Sequence, residues 1–296
     1  MAVIWRFRDG KVGHERQTAG LIKALQSRGQ LDVHEVLASK KNPYWCWLRK
    51  SFPANYTQPD LIVGAGSACQ APMLAAQRTH GGKTIYLMRP KFPLRLFDLC
   101  IIPSHDAPPG RRNVLQSEGV LNDLTPSTES KTGQDVILIG GPSKHHSWNE
   151  ELLVSQINRL IERHKQRFIL STSRRTPIGT VKLLEQIPGL DYQPFDQLEP
   201  TWLTDTLGQA NSVWVTADSI SMMYEVLTVG ANLGILEVPV SRNDRISRVA
   251  QNLLSKAYAT SFLQWEKTGV VKTSPQLNEA SRLAGLIEQH FQEILR

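Results

Sequence analysis

Two stretches of this sequence set proton-transfer groups beside backbone turns. Arg8-Asp-Gly-Lys-Val-Gly-His14 closes a β-like run and leads into a helix start. Glycines there let the backbone approach an anion, and the positive end of a helix favours the neutral, basic form of a histidine. His14 is therefore the best general-base candidate, with Asp9 in the same loop. The plainer alternative is a solvent-facing histidine in a first helical turn. Ser104-His105-Asp106 follows another strand-like run. His105 and Asp106 are a further acid–base candidate, or an ordinary surface turn.

A second set of loops suits an anion. In Val213-Trp-Val-Thr-Ala-Asp-Ser-Ile-Ser-Met-Met-Tyr-Glu225, an apolar run breaks at Asp218, Ser219 and Ser221 and enters a helix that carries Glu225. Hydroxyls and helix N–H groups at such a strand end hold a phosphate, and a carboxylate one turn further reaches a ribose. An N-cap and an ordinary helix would read the same way. Gly140, Gly141, Ser143 and Lys144 follow one strand-like run, and Ser173, Arg174 and Arg175 follow the next. Together they offer hydroxyl donors and fixed positive charge, which suits a diphosphate better than a neutral ligand. Leu61-Ile-Val-Gly-Ala-Gly-Ser-Ala-Cys69 is a weak dinucleotide fingerprint, because Cys69 stands at the third glycine. Gly64 and Gly66 are read instead as allowing close approach to an acceptor or to the other domain. No metal is expected at His145-His146, since adjacent histidines do not easily share one ion. No cofactor is expected; a nucleoside-diphosphate sugar enters as substrate.

The elements that must position these loops are strand-like runs alternating with helical patterns, the signature of parallel α/β architecture. Runs at 2–7, 32–36, 60–63, 84–88 and 99–102 precede a polar, turn-rich stretch at 122–134 that reads as a linker. Alternation restarts at 136–139, 168–171, 190–193, 213–215 and 233–236. The predicted fold is α/β: two Rossmann-like parallel-sheet domains facing across a cleft, an acceptor-side domain at 1–125 and a nucleotide-sugar domain at 126–296. The amphipathic last segment, 276–296, suits packing on either. Ligands in such folds bind at the carboxyl ends of the strands.

Lys plus Arg exceed Asp plus Glu, 34 to 27, so the surface attracts anions. With no zinc finger, RRM signature or basic arm, nucleic acid is not the expected partner. Three separated cysteines imply neither a disulfide framework nor a zinc site. No apolar run reaches the roughly 18 residues of a membrane span, and charges interrupt the start where a signal peptide would be apolar. A cytoplasmic location is expected. Residues 43–52 interleave Trp45, Trp47 and Phe52 with Arg49 and Lys50. That mixture suits either an anionic membrane surface on the inner face or a helix packing its aromatics inward.

These motifs resemble the GT-B glycosyltransferases, in particular the family that adds N-acetylglucosamine to the lipid-linked peptidoglycan precursor. The Asp9 to His14 loop is similar to that family's first glycine-rich loop, Pro59 to Ser67 to its second, and Gly140-Gly141 to the start of its second domain. The resemblance implies a catalytic base at His14, a ribose contact at Glu225 and a sugar-reading loop at Asn243-Asp244-Arg245. A whole-chain resemblance is to the family named after a plant mitochondrial-fission protein, often labelled nucleoside-diphosphate-sugar epimerases. It rests on Gly10-Lys-Val-Gly-His-Glu-Arg-Gln17, Ser171-Thr-Ser-Arg-Arg-Thr-Pro177 and Thr216 to Glu225. Three functions follow as expectations: a GT-B-like glycosyltransferase, an epimerase or hydrolase on the same fold, and a non-catalytic membrane-surface adaptor.

Overall fold

The computed structural model describes residues 1–38, 52–53, 55–128, 131, 133–164, 167–199 and 201–295. Trp45, Trp47, Arg49 and Lys50, the expected membrane-facing group, lie outside them. The chain forms two compact units, residues 1–123 with 278–296, and residues 124–277.

The first unit contains β1 (Ala2–Arg8), α1 (Val12–Gln26), β2 (Leu31–Leu37), β3 (Leu61–Ala65), α2 (Ser67–His80), β4 (Lys83–Leu87), β5 (Leu99–Pro103) and β6 (Val114–Ser117). Its six strands run parallel in the order β2-β1-β3-β4-β5-β6. β3 and β5 are buried along their whole length, as an apolar strand in a doubly covered parallel sheet must be. One face packs Ile4, Val63, Ile85 and Ile101 against Leu21, Ile22 and Leu25 of α1; the other packs Trp5, Phe7, Ile62 and Tyr86 against Cys69, Met73 and Ala76 of α2.

The second unit contains β7 (Asp135–Leu138), α3 (Glu150–His164), β8 (Phe168–Ser171), α4 (Ile178–Leu184), β9 (Leu190–Gln193), α5 (Trp202–Gln209), β10 (Ser212–Thr216), α6 (Ile220–Val229), β11 (Asn232–Leu236), α7 (Arg248–Ser255), β12 (Thr260–Ser261) and α8 (Phe262–Thr268). Its parallel strands run β12-β11-β10-β7-β8-β9. Trp214, Phe262 and Trp265 meet on one face with Leu153, Ile157 and Leu160 of α3, whose i, i+4, i+7 spacing supplies one apolar stripe.

The chain then closes with α9 (Glu279–His290) and α10 (Gln292–Leu295). Leu283, Ala284 and Ile287 of α9 complete the core around Leu21 and Leu25. The last segment thus packs on the first unit. Each sheet has one more strand than the sequence pattern suggests: β6 and β12, four and two residues long, both at a sheet edge.

Candidate functional site

In each unit the strand order reverses beside the first strand, between β1 and β3 and between β7 and β10. In doubly wound sheets this switch point opens the crevice that takes ligands.

At the first switch point the loop after β1 turns into α1. Glu15, in the first turn of α1, reaches back to accept a hydrogen bond from the Gly10 N–H (3.1 Å) and pairs with Arg8 (2.5 Å). The Arg8 bond holds the Glu15 carboxyl below its ordinary range. The loop is thereby fixed with His14 at the third helical position. His14 Nδ1 lies 2.8 Å from Asp9 Oδ2, and the Asp9 side chain is 1% exposed against 19% for His14. Asp9 Oδ1 accepts from the Lys11 N–H at 3.1 Å. A carboxylate only accepts, so Nδ1 carries a proton, and in the neutral ring Nε2 then presents its lone pair. Among the described residues Nε2 has no hydrogen-bond partner.

Gly66 at the end of β3 closes over this pair. Its φ is +84°, and a Cβ there would lie 2.2 Å from His14 Nδ1 and 2.6 Å from Asp9 Oδ2. The glycine therefore makes room for the histidine–aspartate contact within its own unit. Cys69, one turn into α2, is buried, and burial with help from the Asp9 charge pushes its thiol up to about 12.

His105 and Asp106 are not a second pair of this kind. His105 Nε2 stands 3.9 Å from Asp106 Oδ1, beyond hydrogen-bond reach. Both follow β5, three strand spacings or roughly 14 Å from β1. Arg89 braces their turn by donating to the Asp106 and Ala107 carbonyls.

At the second switch point three strand ends are laced together. Gly140 N–H donates to Thr216 Oγ1 (2.8 Å) and Gly141 N–H to Asp218 Oδ2 (3.0 Å). Arg175 Nη2 donates to the same Asp218 oxygen (2.7 Å), while its Nη1 donates to the Gly141 carbonyl (2.6 Å). Ser173 and Thr176 hydroxyls donate to the Gly140 carbonyl. A Cβ on Gly140 would lie 2.3 Å from Asp218 Oδ2, so the loop tolerates no side chain there. The Asp218 side chain is fully buried. Its charge is spent on Arg175 and its second oxygen has no partner among the described residues.

Asp218 and Arg175 thus clamp the loops to each other, with the Asp218 side chain buried and that of Arg175 still 43% exposed. Ser143 likewise builds its own turn, accepting from the His145 and His146 N–H groups. Lys144 and Arg174 are exposed and carry no ion pair among the described residues; Ser143 and Arg175 are exposed too, as is Ser221 in the first turn of α6. Ser219 caps α6 without a side-chain hydrogen bond, leaving its hydroxyl and the first N–H groups of the helix uncommitted to each other. Glu225 is buried at 4% exposure. Asn243 accepts from Arg248 (2.9 Å), and Arg245 is exposed.

Sequence reasoning passed over one pairing. His145 Nδ1 lies 2.7 Å from Asp244 Oδ2, joining the loop after β7 to the loop after β11. Next to it His146 is 2% exposed, its Nδ1 has no partner among the described residues, and burial lowers its pKa. The adjacent histidines were the available signal; the partner 99 residues away was not. Among the described residues no group of three or more His, Cys, Asp or Glu is placed to hold a metal ion, and no helix is long and apolar enough to cross a membrane.

Two Rossmann-like units with polar loops at both switch points define the fold of the GT-B glycosyltransferases and the related epimerases. MurG from Acinetobacter baumannii matches at a TM-score of 0.57, with 13% identity over 98% of this chain and 100% of that one. The UDP-GlcNAc 2-epimerase of Methanocaldococcus jannaschii matches at 0.61, with 9% identity and the same coverage. That of Neisseria meningitidis, bound to UDP-GlcNAc, matches at 0.55, with 10% identity over 99% and 100%. The chain belongs to the mitochondrial fission ELM1 family, whose model matches residues 12–291. An uncharacterized Rickettsia prowazekii protein, RP120, is 22% identical over 96% of this chain and 97% of its own length.

Proposed function

We propose that this protein is a GT-B-type glycosyltransferase that uses a nucleoside-diphosphate-sugar donor. The observation that carries the reading is the Asp9–His14 pair. A buried carboxylate fixes the imidazole tautomer, the ring is held at a switch point, and the outward nitrogen is left basic. That arrangement takes a proton from an acceptor hydroxyl as the hydroxyl attacks, and Asp9 stabilises the imidazolium formed. The second unit holds the donor. The uncapped start of α6, the Ser219 hydroxyl and the exposed cations Lys144 and Arg174 face growing negative charge on the leaving diphosphate. The ribose contact assigned to Glu225 rests on its place in the helix after the strand end and on the family resemblance. An acceptor carried by an anionic membrane fits the basic and aromatic composition of residues 43–52, and flotation with anionic liposomes tests that part.

Calorimetry with a panel of nucleoside diphosphates is the direct test. One of them binds wild-type protein, Arg174→Ala weakens it, and His14→Ala leaves its affinity unchanged while abolishing turnover. If none binds at millimolar concentration, the reading falls.

Epimerisation or hydrolysis of the same donor is the second reading, favoured by the two 2-epimerases that share the fold along their full length. Incubating the protein with a sugar nucleotide and no acceptor separates the two. Conversion of the sugar under those conditions favours the epimerase.

A further inference from the structure

The second unit contains a histidine–carboxylate dyad that the proposed chemistry has not yet used. Asp244 is fixed by its local turn: its Oδ1 accepts from the Ile246 N–H (2.9 Å) and the Ser247 N–H (3.1 Å), and its own N–H donates to Ser247 Oγ (3.0 Å). Its Oδ2 is committed to His145. The His145 main chain is equally fixed, since its carbonyl accepts from the Ser241 and Arg242 N–H groups and its N–H donates to Ser143 Oγ.

The imidazole is therefore aimed, not tethered by chance. Nδ1 points at the carboxylate, and Nε2 has no partner among the described residues. The side chains are 31% and 36% exposed, so a ligand can reach the ring. The dyad also belongs to the switch-point assembly. The buried His146 beside it feels the charges of Asp218, His145, Arg175 and Asp244 together, and the bridge from His146 to Val240 ties the β11 loop to the β7 loop.

We propose that His145 is a catalytic acid that protonates the leaving diphosphate of the donor, with Asp244 as its positioning residue. This rests on the reading of the second unit as the donor site. In the imidazolium form both ring nitrogens donate, Nδ1 to Asp244 and Nε2 outward. As the bond from the anomeric carbon to the diphosphate oxygen breaks, its electron pair stays on that oxygen. The oxygen takes the Nε2 proton, and His145 becomes neutral. The anomeric carbon gains its bond from the acceptor or water oxygen, whose proton passes to the general base. Nothing is oxidised or reduced, and proton exchange with solvent resets both histidines.

The experiment uses the full chain with UDP-N-acetylglucosamine and then other nucleoside-diphosphate sugars, following diphosphate release and, in parallel, nucleoside-diphosphate binding by calorimetry. His145→Ala is expected to lower kcat about 100-fold or more, in the range of general acid catalysis. KM and diphosphate affinity stay within about threefold, as for a group that acts only in the transition state. Added imidazole restores part of the rate, which a clip between two loops would not allow. Asp244→Asn lowers kcat at constant KM, and Asp244→Glu recovers part of the loss. Wild-type kcat in His145→Ala overturns the proposal while leaving the donor-site reading intact. So does a loss confined to KM and affinity without imidazole rescue. A wild-type protein that neither binds nor turns over any of these compounds overturns both.

Discussion

Replacing Asp9 by Asn keeps the shape of the first switch point and inverts its chemistry. Asp9 accepts twice, from the Lys11 N–H at 3.1 Å and from His14 Nδ1 at 2.8 Å. An asparagine has one accepting oxygen and one donating amide. The Lys11 N–H can only donate, so it claims the oxygen and turns the amide toward His14. Nδ1 must then accept, the ring proton moves to Nε2, and the lone pair that would receive the acceptor proton is gone. General base catalysis contributes about 10²–10⁴-fold, so kcat should fall by that factor, or about 2.7–5.4 kcal/mol at 1.36 kcal/mol per decade. Nucleoside-diphosphate affinity should not change. Long-range nitrogen–proton NMR of the His14 ring reads the tautomer without needing a substrate. Persistence of a protonated Nδ1 in Asp9→Asn, or a kcat within about tenfold of wild type, would refute the reasoning.

Three further outcomes follow from the same geometry. Gly66→Ala pushes a methyl to 2.2 Å from His14 Nδ1 at a φ of +84°, so it costs about 1–3 kcal/mol of backbone strain and disrupts the dyad; thermal unfolding and turnover should fall together. Arg175→Ala leaves buried Asp218 with the Gly141 N–H and loses about 1–2 kcal/mol in denaturant unfolding, near the low end for an unpaired buried group because Arg175 is 43% exposed and water takes its place. The buried His146 has a depressed pKa in the fold, so below the ordinary histidine value the unfolded chain binds the proton more readily. Stability should hold above that value and decline as pH falls from it toward the folded pKa, and His146→Gln should flatten this part of the stability curve.

The central strands were legible because β3, β5 and β10 are buried along their whole length and β1 opens with a buried apolar stretch at 2–5, a pattern that turns rarely imitate. β6 and β12 were not: Val114–Ser117 alternates only partly and Thr260–Ser261 is too short for any period to show. Residue types at the strand ends identified the loops of the candidate site, but not which groups face a ligand. Asp218 and Arg175 carry the charges expected of a binding site and pair with each other, whereas the exposed Lys144 and Arg174 beside them have no ion pair among the described residues. The Asp9–His14 contact spans five residues and was open to local reasoning. The His145–Asp244 contact depends on how two strand ends are placed in the sheet, which no local spacing encodes.

Gly66 and Gly140 mark the two switch points more sharply than the reactive residues do, because each stands where a carboxylate lies too close for a side chain. Gly140 gives the clearest test. A Cβ at 2.3 Å from Asp218 Oδ2 must displace a carboxylate that holds the Gly141 N–H and Arg175 at once. Each bond lost at a buried group costs about 1–3 kcal/mol. If the methyl acts by prising Arg175 from Asp218, Gly140→Ala and Arg175→Ala remove the same interaction. Their double variant should then be less destabilised than the sum of the singles, by more than the roughly 0.5 kcal/mol scatter of independent sites. Strict additivity in denaturant unfolding would mean that the clamp is not a single unit. The tight packing of Gly140 would then need another cause.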